Sequence, residues 1–224
     1  MYNFDFPVLA NDYKAILNGI GLTVVISIAA SVLAFLLGTI FVYFRISSRK
    51  IIKNSTDFII SCIRNTPLLI IMYLFYKGLP SIGIVFSAIF CGIISLGIYT
   101  AAYISDALLS GVNSVPDEHF QTAKALGLTR FQTFIYVVYP QALRHSIFIL
   151  GSQFMNLIKN SSLVSFIAVA DIFYVTYKGI ADSFRIYEYF ILAIVVYCSL
   201  TGIVLLLTNI LQKHFAISVT EAKV

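Results

Sequence analysis

The side chains that could do chemistry are two cations, Arg64 and Lys159, each inside a long apolar segment. A charge at the centre of a bilayer costs at least about 2.5–3.5 kcal/mol, so such a side chain faces a protein interior or a polar cavity. Arg64 lies about a turn and a half from the end of its segment, so it could equally reach lipid headgroups by snorkelling. Pro67, shortly after it, frees a backbone carbonyl that could line a pathway.

Lys159 begins a polar run near the middle of its segment, too deep for easy snorkelling. It needs a carboxylate partner, and Asp106 and Asp171 are the nearest unclaimed acids. The three polar residues after it could instead join helices by hydrogen bonds. The candidates for a translocation pathway are Arg64, Asn65, Thr66, Pro67, Asp106, Lys159, Asn160, Ser161 and Ser162.

We expect no group of residues in this sequence to form a catalytic or metal-binding site. The three cysteines lie inside apolar segments with spacings that fit no metal site, and the histidines lie in or beside polar segments. No glycine precedes a lysine at the spacing of a phosphate-binding loop, so the chain is not expected to hydrolyse ATP by itself. We therefore predict no catalytic residue, no metal and no cofactor in this chain.

The composition indicates how these residues are positioned. The chain is 59% hydrophobic and 11% charged, with a mean hydropathy of +0.92, whereas soluble domains have about 45–50% apolar and 25% charged residues. A helix needs about 20 apolar residues to cross a bilayer. The sequence therefore predicts an all-α integral membrane protein with five transmembrane helices. The predicted spans are residues 22–44, 58–76, 81–105, 145–170 and 189–211.

The orientation follows from the basic residues outside the spans, which collect on the cytoplasmic side of membrane proteins. With the N-terminus outside, the cytoplasmic side holds Arg45, Arg49, Lys50, Lys53, Lys124, Arg130, Arg144, Lys213 and Lys223. The opposite side holds only Lys14, Lys77, Lys178 and Arg185. We expect an extracytoplasmic segment at 1–18, a transmembrane domain at 19–211 and a cytoplasmic tail at 212–224. This topology explains the net charge of +5, so nucleic-acid binding is not expected.

A long cytoplasmic loop at residues 106–144 has the signals of a helix–turn–helix. Ser114 is expected to cap a first helix that runs to Leu126, and Gly127 can adopt the left-handed conformation that ends it. Thr129 and Gln132 have the spacing of a capping box for a second helix.

The second helix of this loop carries one apolar face and is expected to end at Pro140. The residues of that face are Phe131, Phe134, Ile135 and Val138. Such a hairpin could lie at the membrane interface and close the bundle, or it could dock a soluble partner. The residues alone leave both interpretations open.

The loop resembles the EAA loop of permease subunits of ATP-binding-cassette importers, in particular the polar amino acid importers. The matching positions are Pro116, Ala123, Ala125, Leu126, Gly127, Thr129, Gln132, Pro140, Gln141, Ala142, Leu143 and Arg144. Residues 63–69, 101–106 and 153–171 resemble further segments of that family. The usual Glu-Ala-Ala is Gln121-Thr122-Ala123 here, and Asp106 stands where Glu is usual.

The resemblance implies a type I importer permease in the cytoplasmic (inner) membrane of a bacterium, which imports polar amino acids. It implies three kinds of protein partner: ATPase subunits that bind ATP-Mg, an extracytoplasmic amino acid-binding protein, and a second copy or a sibling permease. Membrane lipid surrounds the spans. The expected ATPase-coupling residues are Phe120, Gln121, Thr122, Ala123, Ala125, Leu126, Gly127, Thr129 and Arg130.

Two other classes of function remain as alternatives. A stand-alone secondary transporter or channel would not need a docking loop, and the five spans give no obvious inverted repeat. A structural membrane anchor would not need the cost of Arg64 and Lys159 inside its spans.

Overall fold

The structure is a computed structural model that describes the backbone of residues 2–221 and the side chains of residues 2–215. Every regular element in this part of the chain is a helix. The α-helices are α1 Val8–Asn11, α2 Tyr13–Arg45, α3 Lys50–Asn65, α4 Leu68–Tyr73, α5 Ala88–Asn113, α6 Asp117–Ala125, α7 Arg130–Gln132, α8 Tyr139–Asn160, α9 Ile172–Ser183 and α10 Ile186–Glu221. Two π-helical segments, Leu74–Gly78 and Thr133–Val138, and two 3₁₀ segments, Leu79–Ile82 and Ser161–Ile167, join some of them.

Three helices are long and apolar enough to cross a membrane: α2, α5 and the Ile186–Phe215 part of α10. Two interrupted pairs raise the number to five if each pair forms one span. These pairs are Lys50–Asn65 with Leu68–Ile82, and Arg130–Ile167 with Ile172–Ser183. The number agrees with the five predicted spans. Helices α2 and α10 extend beyond the predicted boundaries of their spans at both ends. Helix α5 begins at Ala88, after the predicted start of the third span at residue 81, and continues past its predicted end to Asn113. Where each helix enters the hydrocarbon stays a prediction.

The fourth predicted span is not one continuous α-helix, because α8 ends at Asn160 and a 3₁₀ segment follows. Serine hydroxyls in this region bond to carbonyls three residues back, Ser161 to Ile158 at 2.8 Å and Ser165 to Ser162 at 2.7 Å. Short serine side chains compete with the backbone for such carbonyls, and a 3₁₀ turn brings residues three apart together. Ala168, in the left-handed conformation with φ 65°, ends the segment.

The expectation that Pro140 ends the loop's second helix is wrong. The helix continues through Pro140 into α8. Proline is disfavoured inside an α-helix because it lacks an N–H and collides with the carbonyl four residues back. The chain avoids this collision by widening into the π-helical segment Thr133–Val138 just before the proline. The side chain of Gln141 donates a hydrogen bond of 2.6 Å to the Val137 carbonyl in the same region.

The expectation that Ser114 caps the loop's first helix is also wrong. Its hydroxyl donates to the Ser110 carbonyl at 3.0 Å, in the last turn of α5. The N-cap of α6 is Pro116, whose extended backbone makes no side-chain capping bond. Asp117 and Glu118 do occupy the first turn of α6, where the helix dipole favours negative charge.

The described chain divides into two compact units. The first comprises residues 2–33, 66–97 and 155–203. Ile16, Ile172 and Val175 form a buried cluster in it. Gly19 allows the close approach, since a Cβ there would lie 3.1 Å from the Ile172 Cα. The Thr23 hydroxyl accepts a 3.1 Å hydrogen bond from the Ile172 amide, so a polar contact fixes α9 against α2.

The second unit comprises residues 34–65, 98–154 and the chain from 204 onward. Its helices also approach closely at glycine. A Cβ at Gly111 would lie 2.2 Å from the Ala142 carbonyl oxygen, so α5 and α8 touch backbone to backbone there. The Ser146 hydroxyl donates a 2.8 Å hydrogen bond to the Ala107 carbonyl across the same contact. Small residues and hydroxyl groups at close helix contacts are typical of membrane bundles.

Candidate functional site: the polar hairpin and the ionic residues of the helices

The predicted helix–turn–helix of the loop is present and has a fixed turn. Gly127 adopts φ 74°, and its amide donates 3.0 Å to the Lys124 carbonyl. The Leu128 amide donates 3.1 Å to the Ala123 carbonyl. These two bonds make a Schellman motif, the standard termination of a helix at a left-handed residue. The prediction that Gly127 ends the first helix is therefore confirmed.

The start of the second helix is fixed by the predicted capping box. The Thr129 amide donates to Gln132 Oε1 at 2.8 Å, and the Gln132 amide donates to Thr129 Oγ1 at 3.3 Å. Each bond satisfies an amide that has no partner within the helix. The turn is thus held from both sides, by the Schellman motif before it and the capping box after it.

The outer surface of the hairpin, from Phe120 to Arg130, is polar except at its tip. Gln121 and Thr122 are exposed, while Ala123 is buried at 2%. Leu126, immediately before the turn glycine, is 74% exposed. Phe131, at the start of the second helix, is 59% exposed, so a large apolar side chain lies on each side of the turn.

An ionic network, not predicted as such, links α2, α3 and α5 within the second unit. Arg45 binds Asp57 through Nε at 2.7 Å and Asp106 through Nη1 at 2.6 Å. Arg64 binds the other oxygen of Asp106. The Arg45 side chain is only 13% exposed, and two carboxylates balance the two guanidinium groups. Such balance lowers the cost of withdrawing the charges from water.

The expected ion pair between Lys159 and Asp106 is not formed, because Asp106 binds Arg45 and Arg64 instead. The other expected partner, Asp171, caps α9 by accepting 3.0 Å from the Tyr174 amide and also accepts 3.3 Å from the Tyr197 hydroxyl. Lys159 itself is exposed, and in the described chain it makes no ion pair. Among the described residues, no carboxylate therefore balances its charge.

Arg64 also borders a pocket in the second unit. The aromatic ring of Tyr103 lies under its guanidinium, 5.2 Å from the ring centroid. The pocket has a volume of about 340 Å³ and is lined by Ser61, Arg64, Asn65 and Tyr103. The structure thus brings together three of the predicted pathway residues, Arg64, Asn65 and Asp106. Thr66 and Pro67 lie in the break between α3 and α4.

The polar run after Lys159 serves the local backbone. Ser161 is buried and Ser162 partly exposed, and each hydroxyl donates to a carbonyl three residues back. These hydroxyls shape the 3₁₀ segment, and their lone pairs stay available as acceptors.

Three residues of the ionic site were missed from the sequence. Arg45 was considered only as a basic residue on the cytoplasmic side, and Asp57 and Tyr103 were not among the candidates. The signal that could have found the first pair is their opposite charge on either side of a four-residue connection, 46–49, between two helices. No comparable signal exists for Tyr103, because tyrosine is common in such helices.

Metal binding has no support in the described residues, among which no group of three or more His, Cys, Asp or Glu side chains lies together.

Comparison with known proteins decides the family. The sequence pattern of the family "Binding-protein-dependent transport system inner membrane component" matches residues 30–217. The chain belongs to this family. Its fold class, an all-helical importer permease, and its resemblance to amino acid importer permeases are thereby confirmed. The family members are membrane components, so the chain is a permease subunit and not an ATPase.

Relatives of this family member cover almost its whole length. It is 31% identical over 207 residues to the probable glutamine ABC transporter permease protein GlnM of Bacillus subtilis, covering 92% of this chain and 96% of the relative. It is 30% identical to the octopine transport system permease protein OccM of Rhizobium radiobacter, covering 93% and 89%.

Solved structures agree with the fold of this permease. A chain from a crystal structure described as an amino acid ABC transporter with histidines superposes with a TM-score of 0.84 at 27% identity. It covers 95% of this chain and 100% of the other. A chain of the MetNI methionine transporter in an inward-facing conformation gives 0.80 at 13% identity, covering 92% and 98%, and so supports the fold alone.

Proposed function

We propose that this permease is the membrane-spanning subunit of an ATP-driven importer that moves polar amino acids across the cytoplasmic membrane. The observation that carries the proposal is the 31% identity, over 92% of the chain, to a relative named as a glutamine transporter permease. The superposition on an amino acid transporter chain at a TM-score of 0.84 supports it.

The hairpin from Phe120 to Arg130 is the proposed contact for a separate ATPase subunit, which binds ATP-Mg. A coupling element must transmit force without bending, and the Schellman motif and capping box make the turn at Gly127 rigid. The exposed Leu126 supplies an apolar anchor for a cleft on the partner. The proposed coupling residues are Phe120, Gln121, Thr122, Ala123, Ala125, Leu126, Gly127, Thr129 and Arg130.

Two departures in this hairpin alter its polar contacts. Gln121 and Thr122 stand where the resemblance expects Glu and Ala, and both are exposed. A glutamine keeps the length and hydrogen-bonding capacity of glutamate but has no charge. At these two positions we therefore assign neutral hydrogen bonds to the ATPase rather than an ion pair, beside the apolar tip at Leu126.

The translocation pathway is assigned to two sets of polar residues. One is the pocket beside Arg64 and Asn65, with Asp106 holding the arginine and Thr66 and Pro67 at the adjacent helix break. An arginine fixed by a carboxylate on one side still has free N–H groups for a solute carboxylate.

The other set begins at Lys159, which has no acidic partner in the described chain. It comprises Lys159, Asn160, Ser161 and Ser162. An unpaired cation beside serine hydroxyls is suited to contact the polar groups of a passing amino acid.

The proposed subunits of the complete transporter follow from this proposed function. Two permease chains, either two copies or this chain with a sibling, would pair with two ATPase subunits and an extracytoplasmic amino acid-binding protein. The excess of basic residues in the loops supports an N-terminus outside the membrane and a hairpin in the cytoplasm. Residues 1–18, 19–211 and 212–224 then form the external segment, the transmembrane domain and the cytoplasmic tail.

The test is copurification followed by reconstitution. The tagged full chain, solubilised from the membrane, is expected to bring an ATPase with it. Proteoliposomes of this assembly should take up a polar amino acid only when ATP is present on the side of the membrane that carries the ATPase. Uptake should also require the binding protein. If uptake instead follows an ion gradient without ATP, the chain is a secondary transporter and the proposal is wrong.

A further inference from the structure

A groove opens between the hairpin and the end of α2, entirely within the second unit. Its volume is about 970 Å³. Its walls come from the end of α2, the connection to α3, α6 and the π-helical segment before α8. Tyr43 and Phe134 pack at its base with ring centroids 5.2 Å apart. The groove is therefore a feature of the packed hairpin and not a gap left by a loose loop.

The charge of this groove has one sign. Arg49, Lys124 and Arg130 line it, and no acidic side chain is among its lining residues. All three cations are exposed, and in the described part of the chain none of them forms an ion pair. The hydroxyls of Ser47 and Ser48 lie beside them. Three unpaired cations with hydroxyl donors form a site for a phosphate group.

An apolar stripe leads into the groove along α2. Leu36, Ile40 and Phe44 are spaced by four residues, so they share one face of the helix. They are 57%, 47% and 41% exposed. Phe44, the last of them, is itself a lining residue of the groove. The phosphate site is thus continuous with a surface that suits an acyl chain.

We propose that this groove binds the headgroup of an anionic phospholipid, with one acyl chain along the stripe on α2. Both halves of the site are needed for this assignment: the cations select the phosphate and the stripe selects the hydrocarbon. A second copy of the chain is a poor occupant, because a two-fold contact would bring the same cations together.

The bound lipid would also brace the hairpin. Arg49 belongs to the connection after α2, whereas Lys124 and Arg130 belong to the hairpin. One phosphate shared by both would hold the hairpin against the end of α2. This role goes beyond import itself, because it makes the hairpin's position depend on the lipid composition.

The experiment measures lipid binding to the full chain, purified in detergent with whatever subunits accompany it. Phosphatidylglycerol and phosphatidylcholine with identical acyl chains are titrated, and native mass spectrometry gives the bound fraction. Phosphatidylglycerol is expected to bind more tightly. Each of Arg49→Gln, Lys124→Gln and Arg130→Gln should weaken it by about fivefold, and the triple variant by on the order of 100-fold.

The matched control removes three exposed cations that do not line the groove, with the substitutions Lys50→Gln, Lys53→Gln and Lys213→Gln. It should bind phosphatidylglycerol like the unmodified chain. Equal weakening in the control would mean that only net charge matters, and the site would be wrong. Because the single variants change one exposed side chain each, they keep the test valid if the triple variant fails to fold.

Three further results would overturn the proposal. Inorganic phosphate that displaces the lipid at equal concentration would make the site one for free phosphate. If Arg49→Gln or Lys124→Gln loses an accompanying ATPase while binding the lipid normally, the groove is a protein contact, because neither residue is among the proposed coupling residues. Variants that change the oligomeric state with unchanged lipid affinity would make it an interface between copies. Lipid binding by the chain is measured without transport and without an ATPase, so its failure can be distinguished from a failure of the proposed function.

Discussion

Replacing Gly127 by valine tests whether the turn of the hairpin couples ATP hydrolysis to transport. A Cβ at this position would meet nothing within 4 Å, so steric overlap does not oppose the substitution. The backbone does oppose it, since φ is 74° and the left-handed region costs an L-residue roughly 1–2 kcal/mol. A β-branched side chain is disfavoured further. A change of 1–2 kcal/mol shifts the population of the native turn by a factor of about 5–30.

Two assays should report the loss. Hydrogen exchange at the Gly127 and Leu128 amides should accelerate, because both donate the bonds of the Schellman motif. In proteoliposomes, the number of ATP molecules hydrolysed per amino acid imported should rise, while membrane insertion stays normal. The exchange measurement depends only on the turn, whereas the transport measurement also depends on the proposed function.

Two control variants isolate the backbone as the cause. Gly127→Asn should retain coupling, because asparagine tolerates the left-handed conformation. Gly21→Val, in α2, adds the same side chain at another position with nothing within 4 Å and no positive φ, and should behave like the unmodified chain. Normal exchange and normal coupling in Gly127→Val, or equal uncoupling in Gly127→Asn, would refute the argument from backbone strain.

Three other substitutions test the packing, the ionic network and the capping box. Gly111→Ala should destabilise the chain by about 1–3 kcal/mol or more in thermal melts in detergent, because its Cβ would overlap the Ala142 carbonyl. Gly202→Ala, where a Cβ meets nothing within 4 Å, is the control. Equal melting temperatures of the two variants would contradict the close contact at Gly111. Asp106→Asn, which removes a carboxylate shared by two arginines, should cost about 1.5–3 kcal/mol, and an unchanged melting temperature would mean that the network does not stabilise the bundle. Thr129→Ala should destabilise the start of the second hairpin helix by about 0.5–2 kcal/mol, because it removes the capping hydroxyl. Amide hydrogen exchange should then be faster only in the residues after the turn. Faster exchange throughout the chain would contradict a local role of the capping box.

The turn of the hairpin could be predicted from the sequence because its signals are local. A glycine that takes positive φ and a threonine three residues before a glutamine each determine their own few hydrogen bonds. The same local rules gave a wrong cap at Ser114 and a wrong helix end at Pro140. In both cases the neighbouring helix offered a better solution, a carbonyl of α5 for the serine and a π-helical widening for the proline.

The ionic network could not be predicted because it depends on distant pairings. Arg45 and Asp106 are 61 residues apart in the chain, and Arg64 and Asp106 are 42 apart. Periodicity reports which face of a helix is apolar, but not which helix lies opposite a given charge. The groove could not be predicted for the same reason, because its cations come from two distant segments, the connection after α2 and the hairpin.

The π-helical segment Thr133–Val138 fixes the rotational phase between the hairpin and α8. Each residue of an α-helix advances the chain by about 100° around the axis, and a π-helical turn accommodates one residue more than an α-helical turn. The widened turn therefore holds one extra residue with little change in the rotation between the hairpin and α8. The same extra residue in an uninterrupted α-helix would turn the hairpin by about 100° and point Leu126 elsewhere. The widening of the backbone thus preserves the direction in which the tip of the hairpin faces.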